Sequence, residues 1–293
     1  MAYPRKARRI LPMSLEGFIV QNEPKIAAKV AAFSAAGKEA LHILLDFDRT
    51  VTMGQPGADD ATTWQVLYQH LPKEGQEEYK KYYATYRPLE LSGDMTEEDS
   101  KTWTSAILDL FVTHRVNLAL VEENFLSVVM LRPGMKELFE LCANNQIPIV
   151  VLSAGIRNVI DILLAAHSIQ STVTLSTELD VDKHDTITGW DKASLVHVFN
   201  KRESGHAVLG QIRTQRPYCL LVGDSLLDAT MIDNQDKTIK IRIVDPRPGE
   251  TTNLSLIKQE TFSLFDLMIR DHTAMPIVQL IEFVISSSLV TTK

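Results

Sequence analysis

The stretch Leu41-His42-Ile43-Leu44-Leu45-Asp46-Phe47-Asp48-Arg49-Thr50-Val51-Thr52-Met53 decides the fold. An almost wholly apolar run leads directly into two aspartates one residue apart. Such a run suits a strand covered on both faces, as in a parallel sheet, better than the in-out alternation of a half-wet strand. Open sheets of that kind bind ligands outside the carboxyl ends of their strands. If Asp46 and Asp48 serve a site there, other strands of the chain must end in complementary residues.

From Arg132 onward strand and helix alternate. A helix over Gly134 to Asn145 leads to the strand Ile147 to Gly155, and a helix over Asn158 to Ala166 leads to TVTLSTEL (Thr172 to Leu179). PYCLLVGDS (Pro217 to Ser225) and TIKIRIVD (Thr238 to Asp245) follow as further strands. Upstream, Pro24 to Ala36 has helical spacing and stops at Gly37, a natural C-cap. After Met53 the pattern changes: a loop over Gly54 to Gly57 precedes helical stretches near 59–70, 75–85, 96–116 and 119–129, with Thr96 and Asp99 placed as a capping box. No strand is expected in that block. The predicted fold is therefore α/β: a doubly wound, mainly parallel sheet with an inserted helical cap. The expected division is a core of residues 1–52 and 131–293 and a cap of 53–130.

Composition narrows the function. A net charge of −7 argues against binding a nucleic-acid polymer or an anionic membrane. The basic start, Arg5, Lys6, Arg8 and Arg9, is short and has no apolar run behind it, so neither a secretory signal nor an anchor is expected; a transit peptide is the alternative. No window approaches about 20 apolar residues, so no membrane span is expected. Two cysteines, Cys142 and Cys219, both sit in apolar segments and suit buried, inert thiols in a reduced, cytoplasmic protein.

Four polar clusters close strands or adjoin them: Asp46 with Asp48, Ser153-Ala154-Gly155, Lys201, and Asp224 with Asp228 one helical turn on. Acids, a hydroxyl beside a glycine and a lysine make an inventory for phosphoryl transfer. Carboxylates hold Mg²⁺, a hard cation that takes oxygen ligands. A carboxylate nucleophile splits hydrolysis into two easier steps, and a neighbouring acid can protonate the leaving oxygen. Ser153 with the following amides, expected to open a helix, and the Lys201 charge suit phosphate oxygens.

These clusters carry a resemblance. Asp46-Phe47-Asp48-Arg49-Thr50 resembles the Asp-x-Asp-x-Thr signature of the haloacid dehalogenase superfamily. SAGI (Ser153 to Ile156), HVFNK (His197 to Lys201) and GDSLLD (Gly223 to Asp228) are similar to motifs of the cytosolic pyrimidine 5′-nucleotidase (type III) family. The likeness runs from about Pro24 to Ile285, and HVFNK is its most specific element. The resemblance implies Asp46 as nucleophile and Asp48 as general acid, then base. It implies Mg²⁺ held by the Asp46 carboxylate, the Asp48 carbonyl and Asp224, with Asp228 acting on the ion from behind them. Phosphate would be bound by Thr50, Ser153, Ala154, Gly155 and Lys201, and the substrate would be a nucleoside 5′-monophosphate.

Two positions depart from the family. Tyr86 in KYYATYRP stands where those enzymes carry a glutamate near the base, and an aromatic ring can stack but cannot pair with exocyclic amines. Arg49 replaces an apolar residue. The substrate therefore stays open between a nucleotide and another small phosphorylated metabolite, and transfer to a hydroxyl acceptor instead of water, or a non-catalytic module on this fold, are the further alternatives. His197 is expected to be structural, Glu97-Glu98-Asp99 to be a helix first turn, and Trp64, Tyr68, Tyr82, Tyr83 and Trp103 to pack cap helices, with lining of the substrate pocket by one or two of them as the alternative.

Overall fold

The computed structural model describes residues 15–54, 62–124, 129–232, 234, 236–245 and 253–288. Arg5 to Arg9, the loop expected at 55–57 and the stretch 125–128 lie outside them. In chain order the elements are β1 (Ile19–Val20), α1 (Glu23–Ala36), β2 (Leu41–Leu45), β3 (Thr52–Gly54), α2 (Thr63–Tyr68), α3 (Lys73–Ser92), α4 (Glu97–Thr113), α5 (Leu118–Asn124), β4 (Val129–Leu131), α6 (Met135–Asn144), β5 (Ile149–Ile156), α7 (Arg157–Ala166), β6 (Val173–Thr177), β7 (Leu179–Val181), β8 (Ile187–Trp190), α8 (Ala207–Gln215), β9 (Tyr218–Gly223), β10 (Thr238–Ile243), α9 (Leu254–Leu264), β11 (Leu267–Ile269) and α10 (Met275–Ser288).

Among the described residues seven strands form the main sheet, in the order β1-β11-β10-β9-β2-β5-β6. All pairings are parallel except that of β1 with β11. The chain leaves β2 for β5 and β6 on one side, then returns to β9, β10 and β11 on the other. That reversal opens a crevice at the carboxyl ends of β2, β5 and β9.

Burial explains the near-continuous apolar strands. Ile43 and Leu45 of β2 point into one core with α1, α6, α7 and α10, while Leu44 points into another with Leu209 of α8. Helix α6 buries Met135, Leu138, Phe139 and Cys142, and α7 buries Val159, Ile160, Leu163 and Leu164, each at the spacing of one helical face. The mainly parallel α/β fold expected from sequence is the fold observed.

The inserted block is helical, and Thr96 and Asp99 form the expected capping box at the start of α4. It is not free of strands, however. β3 and β4 pair antiparallel, so a two-stranded ribbon forms at its two ends, and Val129 is a strand residue instead of the end of a helix. Three-residue strands are too short to show a period of two, which is why the ribbon escaped sequence reasoning. α3 is longer than expected and runs through Pro88 to a left-handed Gly93.

A second unforeseen element is the β7–β8 hairpin, which grips the block. Ile187 N–H donates to the Val116 carbonyl (2.9 Å), Leu118 N–H to Asp185 (2.8 Å), and the Trp190 indole to Asp109 (2.8 Å). Among the described residues no helix is long and apolar enough to cross a membrane.

Candidate active site

The backbone of β2 ends with Asp46 N–H bound to the Val222 carbonyl of β9 (3.0 Å), which sets the two strand ends side by side. Asp46 is buried, and its two oxygens have separate partners. Thr50 Oγ1 donates to Oδ2 (2.9 Å), and the Lys201 ammonium donates to Oδ1. The same ammonium reaches Asp228 Oδ1 (2.8 Å), so Lys201 bridges two buried carboxylates from distant parts of the chain. Oxygens of Asp46, Asp224 and Asp228 lie within 4.8 Å of one another.

This crowding shapes the charges. Burial pushes the Asp46 carboxyl up to about 6, against the pull of Lys201 and with a further push from Asp228. Burial, then the charges of Asp46 and Asp228, hold the Asp224 carboxyl well above the usual carboxylate range. Burial also opposes the Lys201 charge, but Asp228 and Asp46 outweigh it and raise the ammonium above an ordinary lysine. A compact set of hard oxygen donors carrying more negative charge than the lysine offsets is suited to a divalent, oxygen-seeking cation.

Each acid is held from behind. Ser225 N–H donates to Asp228 Oδ2 (2.9 Å) in a reciprocal capping box that opens the turn Leu226–Thr230. Gly223 is required there, because a Cβ on it would overlap the Asp228 carboxylate. Arg49 adopts φ 67°, a left-handed conformation that costs a non-glycine residue energy. Its guanidinium lies 3.5 Å from Asp224 Oδ2 and supplies a second cation to the acid cluster.

Arg132 holds the loop between β2 and β3. Fully buried, it donates to the carbonyls of Thr50 (2.8 Å) and Arg49 (2.5 Å) and to Asp245 Oδ2 (2.6 Å). Sequence reasoning missed it. Its position just after the cap block was its only signal.

Asp48 stands apart from the three clustered acids. Its oxygens accept from the Thr63 backbone N–H (2.8 Å) and hydroxyl (2.9 Å) at the start of α2. The Thr63 hydroxyl in turn accepts from Ile156 N–H (3.1 Å), and Gly155 N–H donates to Ser153 Oγ (3.0 Å). Ser153 to Gly155 do not open a helix. They lie in an irregularity of β5, whose pairing with β6 shifts register between Leu152 and Ile156, and α7 begins only at Arg157. Thr63 was also missed, although Thr62 with Gln65 marks the helix start it belongs to.

Tyr86 lies on α3, half-buried, with its ring parallel to that of Trp103 on α4 (5.9 Å, 16°); Tyr83 meets the other ring edge-on (6.1 Å). The structure thus gathers Asp46, Thr50, Lys201, Asp224 and Asp228, links Asp48 through Thr63 to Ile156 at the end of β5, next to Gly155, and gives Tyr86 an aromatic partner in the helical block. His197 Nδ1 accepts from Phe199 N–H (3.4 Å), and its Nε2 sits 4.0 Å from Glu97 at the start of α4. Cys142 and Cys219 are buried free thiols; burial pushes the Cys142 thiol up to about 12, consistent with inertness.

Comparison with known proteins places the chain in a family. The family model described as pyrimidine 5′-nucleotidase (UMPH-1) matches residues 52–285. The 7-methylguanosine phosphate-specific 5′-nucleotidase A of Xenopus laevis is 26% identical over 293 residues, covering 94% of this chain and 98% of its own. The Homo sapiens 7-methylguanosine phosphate-specific 5′-nucleotidase is 24% identical over 234 residues, 75% of this chain and 77% of its own. The crystal structure of cytosolic 5′-nucleotidase IIIB bound to cytidine superposes with a TM-score of 0.78 at 20% identity, over 95% of this chain and 97% of that one. Substrate-bound phosphoserine phosphatase shares the fold more distantly, with a TM-score of 0.54 at 16% identity over 82% and 97%. The acids at the carboxyl ends of β2 and β9, the helical block between β3 and β4, and these matches lead to one conclusion: the chain belongs to the pyrimidine 5′-nucleotidase (UMPH-1) family of phosphatases, on a haloacid dehalogenase-like fold.

Proposed function

We propose that this enzyme hydrolyses a nucleoside 5′-monophosphate at Asp46, with Mg²⁺ as cofactor and 7-methylguanosine 5′-monophosphate as preferred substrate. The observation that carries the chemistry is the convergence of Asp46, Asp224 and Asp228 around Lys201 at the strand ends. The substrate rests on the names of the relatives and on the rings of Tyr83, Tyr86 and Trp103. Methylation at N7 makes guanine cationic, and electron-rich rings favour a flat cation. A pyrimidine such as cytidine offers less area and no charge.

The Lys201 ammonium on Oδ1 and the Thr50 hydroxyl on Oδ2 favour the ionised Asp46 that attacks. Its oxygen bonds to phosphorus as the ester P–O bond breaks, and Asp48 passes its proton to the leaving 5′-oxygen. Asp48 then takes a proton from the water that attacks phosphorus, the P–O bond to Asp46 breaks, and inorganic phosphate leaves. Thr50 and Lys201 hold Asp46 on the approach, and Lys201 with Ser153, Ala154 and Gly155 faces the phosphate oxygens. The carboxylates of Asp46 and Asp224, with the Asp48 carbonyl, would hold Mg²⁺, with Asp228 behind them on Lys201 and the Ser225 amide; the ion when bound would neutralise charge on the transferring phosphate.

We further assign a core of residues 1–52 and 131–293 and a cap of 53–130, and a cytoplasmic location, the latter from the cytosolic relative. Specificity constants for 7-methylguanosine, pyrimidine and purine 5′-monophosphates, alongside sugar phosphates, decide the substrate. A preference for any non-nucleotide ester overturns it. Asp46→Asn is expected to lower turnover by at least about a thousandfold, and an unchanged rate would move the chemistry elsewhere.

A further inference from the structure

Thr63 links the proton donor to the helical block. It opens α2, is fully buried, and spends both of its donors on Asp48, one on each carboxylate oxygen. Two donors from one residue fix the plane of that carboxylate. The hydroxyl has a single proton, and its oxygen already accepts from Ile156 N–H at the end of β5, a group that can only donate. The proton is thereby directed at Asp48. Gly155 closes the same spot: a Cβ there would stand 2.5 Å from Thr63 Oγ1 and 2.8 Å from Asp48 Oδ2. Three chain segments, the loop after β2, the first helix of the block and the end of β5, meet on this one hydroxyl.

We propose that Thr63 is the positioning residue for the general acid, aligning Asp48 with the leaving oxygen only when α2 is seated against β5. This rests on the role given to Asp48 above, in which its proton moves to the leaving oxygen as the ester P–O bond breaks and the bond from Asp46 to phosphorus forms. Loss of alignment must therefore cost most where the leaving group needs the proton. An alkyl ester such as 7-methylguanosine 5′-monophosphate must release a strongly basic alkoxide, whereas p-nitrophenyl phosphate releases a stable phenolate.

The test compares kcat/KM for these two esters in the wild-type enzyme with Mg²⁺, in Thr63→Val and in Thr63→Ser, with folding checked by circular dichroism. Thr63→Val, which keeps the shape and loses the hydroxyl, is expected to lower kcat/KM on 7-methylguanosine 5′-monophosphate at least about tenfold while changing p-nitrophenyl phosphate less than about twofold. Thr63→Ser should restore the alkyl ester to within about threefold of wild type. Thr63→Ala takes the place of Thr63→Val if the valine variant does not fold. Equal losses on the two esters, or a serine variant as impaired as valine, would overturn the positioning role. Failure of the wild-type enzyme to cleave the nucleotide would overturn the reading of Asp46 and Asp48 as its phosphatase machinery, and this role with it.

Discussion

At Gly155 the lack of a side chain is a requirement of the site, since an added methyl group would enter the space of Thr63 Oγ1, Asp48 Oδ2 and Ser153 Oγ. Gly155→Ala is expected to fold and to lose at least about tenfold in kcat/KM, because displacing a reacting group by a fraction of an ångström is costly to alignment; steady-state kinetics beside a thermal melt check both halves. A wild-type rate would show that Asp48 tolerates displacement. The glycine was legible in the sequence as part of Ser-Ala-Gly, but its reason was not. A phosphate-binding turn was expected, and the close packing of three segments was found. Lys201 was legible in the same partial way. Its charge was expected on phosphate, yet in the structure it also clamps Asp46 to Asp228, across 155 and 27 residues of sequence. No local spacing reports a partner that far away.

Among elements, the loop from Asp46 to Thr52 depends on one side chain that packs from across the ribbon. Arg132 is fully buried and makes its contacts to carbonyls of that loop and to Asp245. Arg132→Met would leave those carbonyls without their donor and Asp245 with His272 as its remaining ion partner among the described residues. A loss on the order of 3 kcal/mol is expected from such a break. Urea unfolding followed at unchanged slope measures it, and a midpoint within error of wild type would mean that water replaces the guanidinium. The long elements around this loop were readable because periodicity is strong over many residues: α6 and α7 fall where the apolar spacing placed them. Short ones were not. β3, β4, β7 and β8 run for only three or four residues each, and they are strands because of what they pair with.

For the whole molecule, the acid cluster makes stability depend on pH and cation together. Without a divalent ion, Asp46 rises from 3.8 to about 6 in the folded state, so between those values the folded protein binds more protons than the unfolded chain. Stability from this group therefore falls as pH rises through that window and stays at the lower level above it. Mg²⁺ binds the ionised carboxylates, and so its stabilising effect grows over the same interval. Thermal melts with and without Mg²⁺ are expected to differ more at pH 8 than at pH 5, with the difference reduced in Asp224→Asn. An equal shift at both pH values, or an unreduced one in the variant, would place the ion elsewhere. What the sequence determined by itself was the order of the long elements β2, α6, β5, α7, β6, β9 and β10 and the identity of the acids, since apolar period and strand-end chemistry are local properties of neighbouring residues. Only the tertiary structure decided which of those acids share a cluster, that Asp48 is held by Thr63 instead of joining it, and that Arg49 faces Asp224, because these pairings arise where strands far apart in the chain end side by side at the crevice beside β2.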